Sequence, residues 1–258
     1  VQNGQFNAVA GGVLEIGGIY NPSWLFKGFD SNSYGSRSSV SLQSLTSAVV
    51  LGGEGVTPGA NYGFNPASED DGTVLASAYN FVLPAHVNME ALNGTITIRN
   101  NAELYPSSNG QLSLLADSDI TLVNPDINNS YMGLIDASPS LLPSVFNPIL
   151  SGKELRSSFI GGLNSAFDLH SPIPLHLNDS EPMRIYSVNG SLINGSDNRN
   201  YNGAIIVAAD KVADIRAGLD IVNLAFSGQN LYASDITNIQ AGRDLYNPPL
   251  VPNQSVPF

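Results

Sequence analysis

Two similar stretches near the end of the chain decide the fold: Ile215-Arg-Ala-Gly-Leu-Asp-Ile221-Val-Asn223 and Ile239-Gln-Ala-Gly-Arg-Asp-Leu245-Tyr-Asn247. An apolar residue, Ala, Gly, Asp, a second apolar residue and Asn recur at the same places in both. The phrase occurs earlier at residues 114–120, followed by Asn124, and more loosely at residues 98–104. Such self-similarity indicates a repeat architecture, in which each unit buries its apolar face by stacking on its neighbours.

The residue types within the phrase favour a β-solenoid. Alternate side chains of a strand face opposite sides, so Ile215, Ala217 and Leu219 are expected to share the interior face. Gly218 and Gly242 are expected to supply the positive φ that a tight corner often demands. Asp and Asn side chains can hydrogen-bond a turn backbone, and stacked Asn residues can form ladders. An amphipathic helix is disfavoured because Gly and Asp, both weak helix formers, interrupt every apolar run.

The sequence therefore predicts an all-β fold, a parallel β-solenoid that forms a single segment over residues 1–258. Side chains of Ile215, Ile221, Ile239 and Leu245 are predicted to point inward. Ile215 and Ile239 are predicted to occupy equivalent places on neighbouring coils about 4.8 Å apart. The positions that define the repeat are Leu114, Asp119, Ile120, Ile215, Gly218, Asp220, Ile221, Asn223, Ile239, Gly242, Asp244, Leu245 and Asn247.

The repeat pattern is interrupted once in the middle of the chain. Residues 125–181 are rich in Pro and Ser and lack sustained alternation, so we expect an excursion from the solenoid, with short helices at 141–150 and 153–163. The tail 248–258 has three prolines and is expected to be extended or disordered. Strand-like patterns are predicted at residues 1–20, 40–44, 48–51, 74–83, 92–104, 111–123 and 183–247.

Composition narrows the classes of function. Charged residues make up 12% of the chain, against about 25% in typical soluble domains. The formal net charge of −12 argues against a nucleic-acid partner and against electrostatic docking to anionic lipid. The absence of cysteine excludes disulfides and thiolate metal sites. No apolar stretch is long enough to span a membrane, and Val1 does not begin a signal peptide, so we expect a mature or excised segment.

Candidate catalytic and metal-binding residues are few. A glycosidase needs two carboxylates about 5–10 Å apart. Asp117 and Asp119, or the acidic triplet at 69–71, could supply such a pair, but a turn role and a hydrophilic loop are the favoured interpretations. His86, His170 and His176 lack metal-ligand spacing, and Asn198–Gly203 resembles only the start of a calcium loop. No cofactor or metal is predicted.

A cluster of aromatic residues near the amino terminus is a candidate recognition site. Trp24, Phe26, Phe29 and Tyr34 could form a platform for surface recognition of sugars. The alternative is a loop that its aromatic side chains pin to the flank of the solenoid, and this alternative is favoured.

Six phrases, taken in order, carry a family resemblance: Asn109-Gly-Gln-Leu-Ser-Leu-Leu-Ala116, Leu175-His-Leu-Asn-Asp179, Glu181-Pro-Met-Arg-Ile-Tyr186, Ala213-Asp-Ile-Arg-Ala-Gly218, Phe226-Ser-Gly-Gln-Asn230 and Gln240-Ala-Gly-Arg-Asp244. Together they resemble the large exoproteins of the filamentous-haemagglutinin family, passengers of two-partner secretion in Gram-negative bacteria. The resemblance implies a right-handed parallel β-helix, export through an outer-membrane β-barrel transporter, and a secreted or cell-surface location. It also implies contact with host-cell, bacterial-cell or glycan surfaces in adhesion, biofilm or contact-dependent interaction.

The sequence thus favours a non-enzymatic, structural and adhesive filament segment. A polysaccharide-processing β-helix enzyme, a lyase or a hydrolase, is one alternative, and it requires clustered acids on one face. A carbohydrate-binding module that uses the aromatic loop is the other.

Overall fold

The computed structural model describes residues 4–19, 34–52, 80–99, 101–123, 131–134, 136–138, 171–195 and 205–247. Within these residues the chain forms strands and no helix. The strands build three parallel sheets, and each strand pairs with its equivalent in the next coil rather than with its neighbour in sequence. The predicted parallel β-helix is therefore confirmed.

Each coil passes through the three sheets in turn. Sheet A contains, in spatial order, β1 (Gln5–Ala10), β3 (Ser39–Ser44), β6 (His86–Ala91), β9 (Gln111–Ala116), β12 (Met183–Ser187), β15 (Ala213–Ala217) and β18 (Asn238–Ala241). Sheet B contains β2 (Leu14–Ile16), β4 (Val49–Leu51), β7 (Ile96–Arg99), β10 (Ile120–Val123), β13 (Leu192–Asn194), β16 (Ile221–Val222) and β19 (Leu245–Tyr246). Sheet C contains β5 (Asn80–Leu83), β8 (Asn101–Leu104), β11 (Tyr131–Gly133), β14 (Ile206–Ala209) and β17 (Ala225–Gly228).

The core consists of columns of aliphatic side chains that run along the helix axis. In sheet A, a fully buried column contains Leu42, Met89, Leu114, Ile185 and Ile215. In sheet B, the matching column contains Val49, Ile96, Ile120, Leu192 and Ile221. Burial of one such side chain contributes about 1.5–3 kcal/mol, so stacking of the coils stabilises the fold.

A small residue lets each coil bend from sheet A into sheet B. The last residue of every sheet A strand described is Ala or Ser. Where it is Ser, the hydroxyl satisfies a carbonyl of the preceding coil: Ser44 donates to Gly12 at 2.6 Å, and Ser187 donates to Ser118 at 2.7 Å. The large-then-small order of the repeat thus fills the interior and then makes room for the corner.

The register confirms most of the repeat and corrects part of it. Ile215 pairs with Ile239, and Ile221 pairs with Leu245, as predicted. The copy at 114–120 is in register with them, but the looser copy at 98–104 is not, because Ile98 belongs to sheet B rather than sheet A. Leu219 was expected inside, yet it is 40% exposed because β15 ends before it and the chain has already entered the turn.

The apolar side chains of the last coil are only partly buried. Ile239 packs against the core and is half-buried, whereas Leu245 is 57% exposed although it is in register with buried Ile221. Leu245 therefore occupies the same strand position as inward-facing Ile221, but it is not covered. Among the described residues no strand stacks on β18 or β19, so the outer side of this coil has no neighbour to cover it.

Gly218 and Gly242 are required for a different reason from the one predicted. Neither has a positive φ, unlike Gly52, Gly133 and Gly195. A Cβ at Gly218 would overlap the backbone carbonyl of Val188, and one at Gly242 would overlap that of Gly218. These glycines let the backbones of neighbouring coils approach closely.

The side chains of Asp119, Asp220 and Asn223 bond the backbone of a neighbouring coil, as predicted for the polar repeat positions. Asp119, Asp220 and Asp244 each precede the first residue of a sheet B strand. The Oδ1 atom of Asp119 accepts a hydrogen bond from the backbone N–H of Ser191 at 2.7 Å. Asn223 has a φ of 57°, and its side-chain amide donates to the backbone carbonyl of Asn194 at 2.9 Å. The expected Asn ladder is therefore side chain to backbone at this step, not amide to amide.

The interval 125–181 is only partly described. Residues 131–133 form β11, which pairs with β8 and β14, so this part of the interval belongs to the coil. The expected helices at 141–150 and 153–163, the tail 248–258 and Asn124 lie outside the described residues.

Candidate functional site

A cluster of charged side chains is buried at the corner where sheet C leads into sheet A. The imidazole of His176 is 1% exposed and lies between two carboxylates, with Nδ1 2.9 Å from Asp179 Oδ2 and Nε2 3.2 Å from Asp210 Oδ1. Lys211 Nζ donates to the same Asp179 oxygen at 2.6 Å and to the carbonyl oxygen of Gly110 at 2.8 Å. We call His176, Asp179, Asp210 and Lys211 the corner cluster.

The corner cluster links three consecutive coils. Gly110 precedes β9, His176 and Asp179 lie in the turn before β12, and Asp210 and Lys211 lie between β14 and β15. Two formal positive charges face two negative ones when the imidazole is protonated. Buried charges are tolerated when they are paired in this way, because an unpaired charge inside a protein is strongly unfavourable.

The two carboxylates control the protonation of His176. Burial by itself lowers the pKa of the imidazole, but Asp210 and then Asp179 outweigh burial and hold the pKa above its ordinary value of 6.5. Burial likewise raises the pKa of Asp179, yet hydrogen bonds from Lys211 and His176 bring it below its ordinary value. Nε2 of His176 lies within ion-pair distance of Asp210 Oδ1, and this contact raises the pKa of the imidazole.

This geometry suits structural bonding better than catalysis. A general acid or base must reach the proton that it transfers. Both nitrogens of His176 face carboxylates and the ring is closed to solvent, so a substrate has no access to it. The corner cluster therefore stabilises the contacts between neighbouring coils.

Sequence reasoning did not find the corner cluster. The sequence shows only that His176, like His86 and His170, lacks metal-ligand spacing, and its partners Asp210 and Lys211 are more than thirty residues further along the chain. One local signal was present, since Asp179 follows His176 at a spacing of three in a short turn.

The carboxylates proposed for catalysis are engaged in turn contacts. Asp117 Oδ1 accepts a hydrogen bond from the Asn189 amide at 2.8 Å, and Asp119 accepts one from the backbone of Ser191. Both contacts join one coil to the next. The favoured turn interpretation fits these bonds, and the acidic triplet at 69–71 lies outside the described residues.

Glu103 is an acid that the sequence did not single out. It lies on β8, with Ala102 and Leu104 facing the core on either side, yet its side chain is only 3% exposed. Burial raises the pKa of its carboxyl from 4.5 to about 8. The sequence signal was weak because strand alternation alone predicts that this residue faces solvent.

The aromatic recognition cluster is described only at Tyr34. Its ring packs edge-to-face on the buried ring of Tyr105, with centroids 6.2 Å apart. The hydroxyl of Tyr34 is buried and unpartnered, and burial raises its pKa. This placement favours the anchoring interpretation for Tyr34. Trp24, Phe26 and Phe29 lie outside the described residues.

Exposed aliphatic side chains recur along the corner between sheets A and B. Five of the seven described turns at this corner carry one that is 40% to 59% exposed. The remaining two turns carry Asp117 and Arg243. Leu45 and Leu92 lie on neighbouring coils, and Asp117 separates them from Val188. Exposed apolar side chains on neighbouring coils can form the kind of surface that marks an interaction site. We call this set the corner ridge: Val13, Leu45, Leu92, Val188 and Leu219.

No metal centre or membrane-spanning helix was found in the part of the chain that the structure describes. No group of three or more His, Asp or Glu side chains there could hold a metal ion. None of the described elements is a helix long and apolar enough to cross a bilayer. His170 and the calcium-loop-like stretch at 198–203 fall outside the described ranges.

Comparisons with known proteins identified no relative of this chain. Neither the family models, the curated proteins nor the solved structures contain a match to this chain.

Proposed function

We propose that this segment is a structural shaft of a secreted or cell-surface filamentous adhesin-type exoprotein, and that it acts by presenting surface rather than by catalysis. Two features support the proposal. The buried ionic contacts join coils to one another, and the corner ridge leaves aliphatic side chains exposed at one corner of the shaft. The corner ridge is the observation that carries the proposal, because exposed apolar surface of this kind is typical of a contact face.

Export and location belong to the same proposal. The family resemblance supports passage through an outer-membrane β-barrel transporter and a place outside the cell. A chain without cysteine that folds by adding coils one at a time suits such a route, since each repeat contacts only its neighbours.

Binding measurements on the purified segment test the proposal. We expect it to bind bacterial or host cells or a glycan array, and the triple variant Leu45→Ser, Leu92→Ser and Val188→Ser to reduce that binding at least several-fold. These side chains are exposed, so the fold should survive. The control is Ile173→Ser with Ile236→Ser, whose side chains are even more exposed but lie off the corner ridge, and it should leave binding unchanged.

Two further experiments test the alternative functions, a carbohydrate-binding loop and an enzyme. Trp24→Ala with Phe26→Ala and Phe29→Ala tests the aromatic loop, and loss of binding in that variant alone would move recognition there. Incubation with acidic and neutral polysaccharides, with and without calcium, tests for an enzyme. Release of unsaturated or reducing ends would overturn the structural proposal.

A further inference from the structure

Four consecutive coils carry a row of side chains at the A–B corner that is acidic at one end and basic at the other. The turns after β9, β12, β15 and β18, which are neighbours in sheet A, present Asp117, Val188, Leu219 and Arg243 in that order. Val188 is 53% exposed, Leu219 is 40% exposed, and the side chain of Arg243 is 60% exposed. We call these residues the four-coil row. It has an apolar centre between two opposite charges.

Backbone hydrogen bonds between the turns fix the spacing of the four-coil row. The N–H of Asn189 donates to the carbonyl of Asp117 at 2.7 Å, and the N–H of Leu219 donates to that of Gly190 at 2.8 Å. The N–H of Arg243 donates to the carbonyl of Leu219 at 2.9 Å. Each turn therefore lies directly on the preceding one, and successive members of the row are one coil apart, about 4.8 Å.

A row of this kind is complementary to its own reverse. If a second copy lies antiparallel against the first, a two-fold axis between the coils of Val188 and Leu219 places Val188 of each copy against Leu219 of the other. The same axis places Asp117 of each copy against Arg243 of the other, so every contact occurs twice. A parallel arrangement would place each residue against itself, and the paired carboxylates and the paired guanidinium groups would repel.

Both charged ends of the row have bonding capacity left for a second copy. Asp220 accepts hydrogen bonds from Nε and Nη2 of Arg243, which leaves Nη1 of the exposed guanidinium for another carboxylate. The carboxylate of Asp117 accepts bonds from the Asn189 amide at 2.8 Å and from the Ser118 hydroxyl at 3.4 Å. A carboxylate has about four acceptor sites, so further sites remain. Charge pairs of this kind specify the partner and the register more than they add affinity.

We propose that two copies of this chain associate side by side and antiparallel through the four-coil row. The row lies on the flank of the shaft and not at an end, so further coils stacked on either end would leave it uncovered. The contact is isologous and closes at two copies. Its apolar centre is narrow, so we expect a weak dimer of the kind that small interfaces form. The inference goes beyond the proposed function, and its tests use neither cells nor glycans.

Sedimentation velocity over a wide range of protein concentrations tests the association. We expect the wild-type segment to form dimers, and no longer species, as concentration rises. Asp117→Arg alone and Arg243→Asp alone should each weaken the dimer at least several-fold, because like charges then face each other twice. An equimolar mixture of these two variants should restore the dimer, since each contact again joins an Arg to an Asp. Circular dichroism and thermal unfolding check that both variants fold.

A third variant tests the one repulsive pair that this arrangement contains. Asp244 and Asp119 each stand directly before a sheet B strand, on the two outer coils of the row. Asp244 of one copy would therefore face Asp119 of the other, and its side chain is 68% exposed. Asp244→Asn should strengthen the dimer a few-fold, measured in the same way.

Cysteine cross-linking tests the register without any change of charge. The chain has no cysteine of its own. A mixture of Val188→Cys and Leu219→Cys should cross-link on mild oxidation several-fold faster than either variant alone, because these two positions face each other. A mixture of Leu45→Cys and Leu219→Cys is the control, since Leu45 is exposed but lies outside the four-coil row. A monomer at every concentration without preferred cross-linking, a dimer insensitive to the charge variants, or faster cross-linking of identical positions would each overturn the proposal.

Discussion

At the scale of single residues, the protonation of His176 links stability to pH. Its folded pKa lies above the ordinary value of 6.5, with Asp179 on its own turn and Asp210 and Lys211 on the facing turn. The stabilisation is complete below the unfolded pKa and is lost as pH rises through the folded pKa. We expect the urea midpoint to fall on the alkaline side of 6.5, and His176→Asn to remove that part of the dependence.

Asp210→Asn provides a sharper measurement of the same contact. The carboxylate of Asp210 raises the pKa of His176, so its removal should lower the imidazole pKa, followed by NMR titration of the ring protons. The His176→Asn spectrum assigns the resonance. An imidazole pKa that does not move would show that the ion pair at 3.2 Å is absent in solution.

Glu103 adds a separate pH effect of the same sign. Its folded pKa is raised from 4.5 to about 8, so its contribution is complete below 4.5 and lost as pH rises to about 8. At about 1.36 kcal/mol per pKa unit, the loss is on the order of a few kcal/mol. Glu103→Gln should raise stability at pH 8 and above and leave it nearly unchanged at pH 4, measured by urea unfolding. Equal effects at both pH values would contradict a buried, titrating carboxyl.

The sequence could predict the charged residues of the turns but not those of the interior. Asp119 and Asp220 recur at a fixed place in a repeated phrase, and turn chemistry alone places them. His176 and Glu103 do not recur. Asp210, which pairs with His176, is distant from it in sequence, and strand alternation alone does not predict that Glu103 is buried.

At the scale of the turn, close approach of the coils explains the repeated glycines. Gly218 and Gly11 both follow the last Ala of a sheet A strand, but only Gly218 lies against a neighbouring backbone. We expect Gly218→Ala to cost about 1–3 kcal/mol, as overpacking does. Gly11→Ala should change stability by less than about 1 kcal/mol, since the substitution there mainly restricts the unfolded chain. Thermal unfolding of dilute protein compares the two, and equal losses would contradict this account.

Strand elements were predicted well where the repeat is strict and less well where it is loose. The pairing of Ile215 with Ile239 follows from two similar phrases. The phrase at 98–104 matched the same composition but belongs to another sheet, because an alternating apolar pattern does not say which of three sheets it enters. β11 was missed because its few residues stand alone within a Pro- and Ser-rich interval.

At the scale of the whole molecule, the β-helix is a one-dimensional stack of coils, and its core residues do not indicate its function. Leu114 and Ile120 would fill the interior of a shaft or of a polysaccharide lyase equally well. Function depends on what the turns and loops present, so the corner ridge, rather than the repeat, is the surface to test.

The same stacking makes the cost of a core truncation depend on its place along the axis. Ile215 and Ile239 are in register on adjacent coils, but Ile215 is fully buried and Ile239 only half-buried. We expect Ile215→Ala to cost about 2–5 kcal/mol, as for large-to-small changes in a core, and Ile239→Ala to cost less than about half as much. Chemical unfolding of the two variants, which carry the same substitution at two places along the axis, measures this difference in stability.

Amide hydrogen exchange should show the same difference independently. We expect slow exchange in β9, β12 and β15 and fast exchange in β18, because an inner repeat is held by its neighbours on both sides. Equal losses in the two variants, with uniform exchange along the stack, would mean that the last coil is covered in solution.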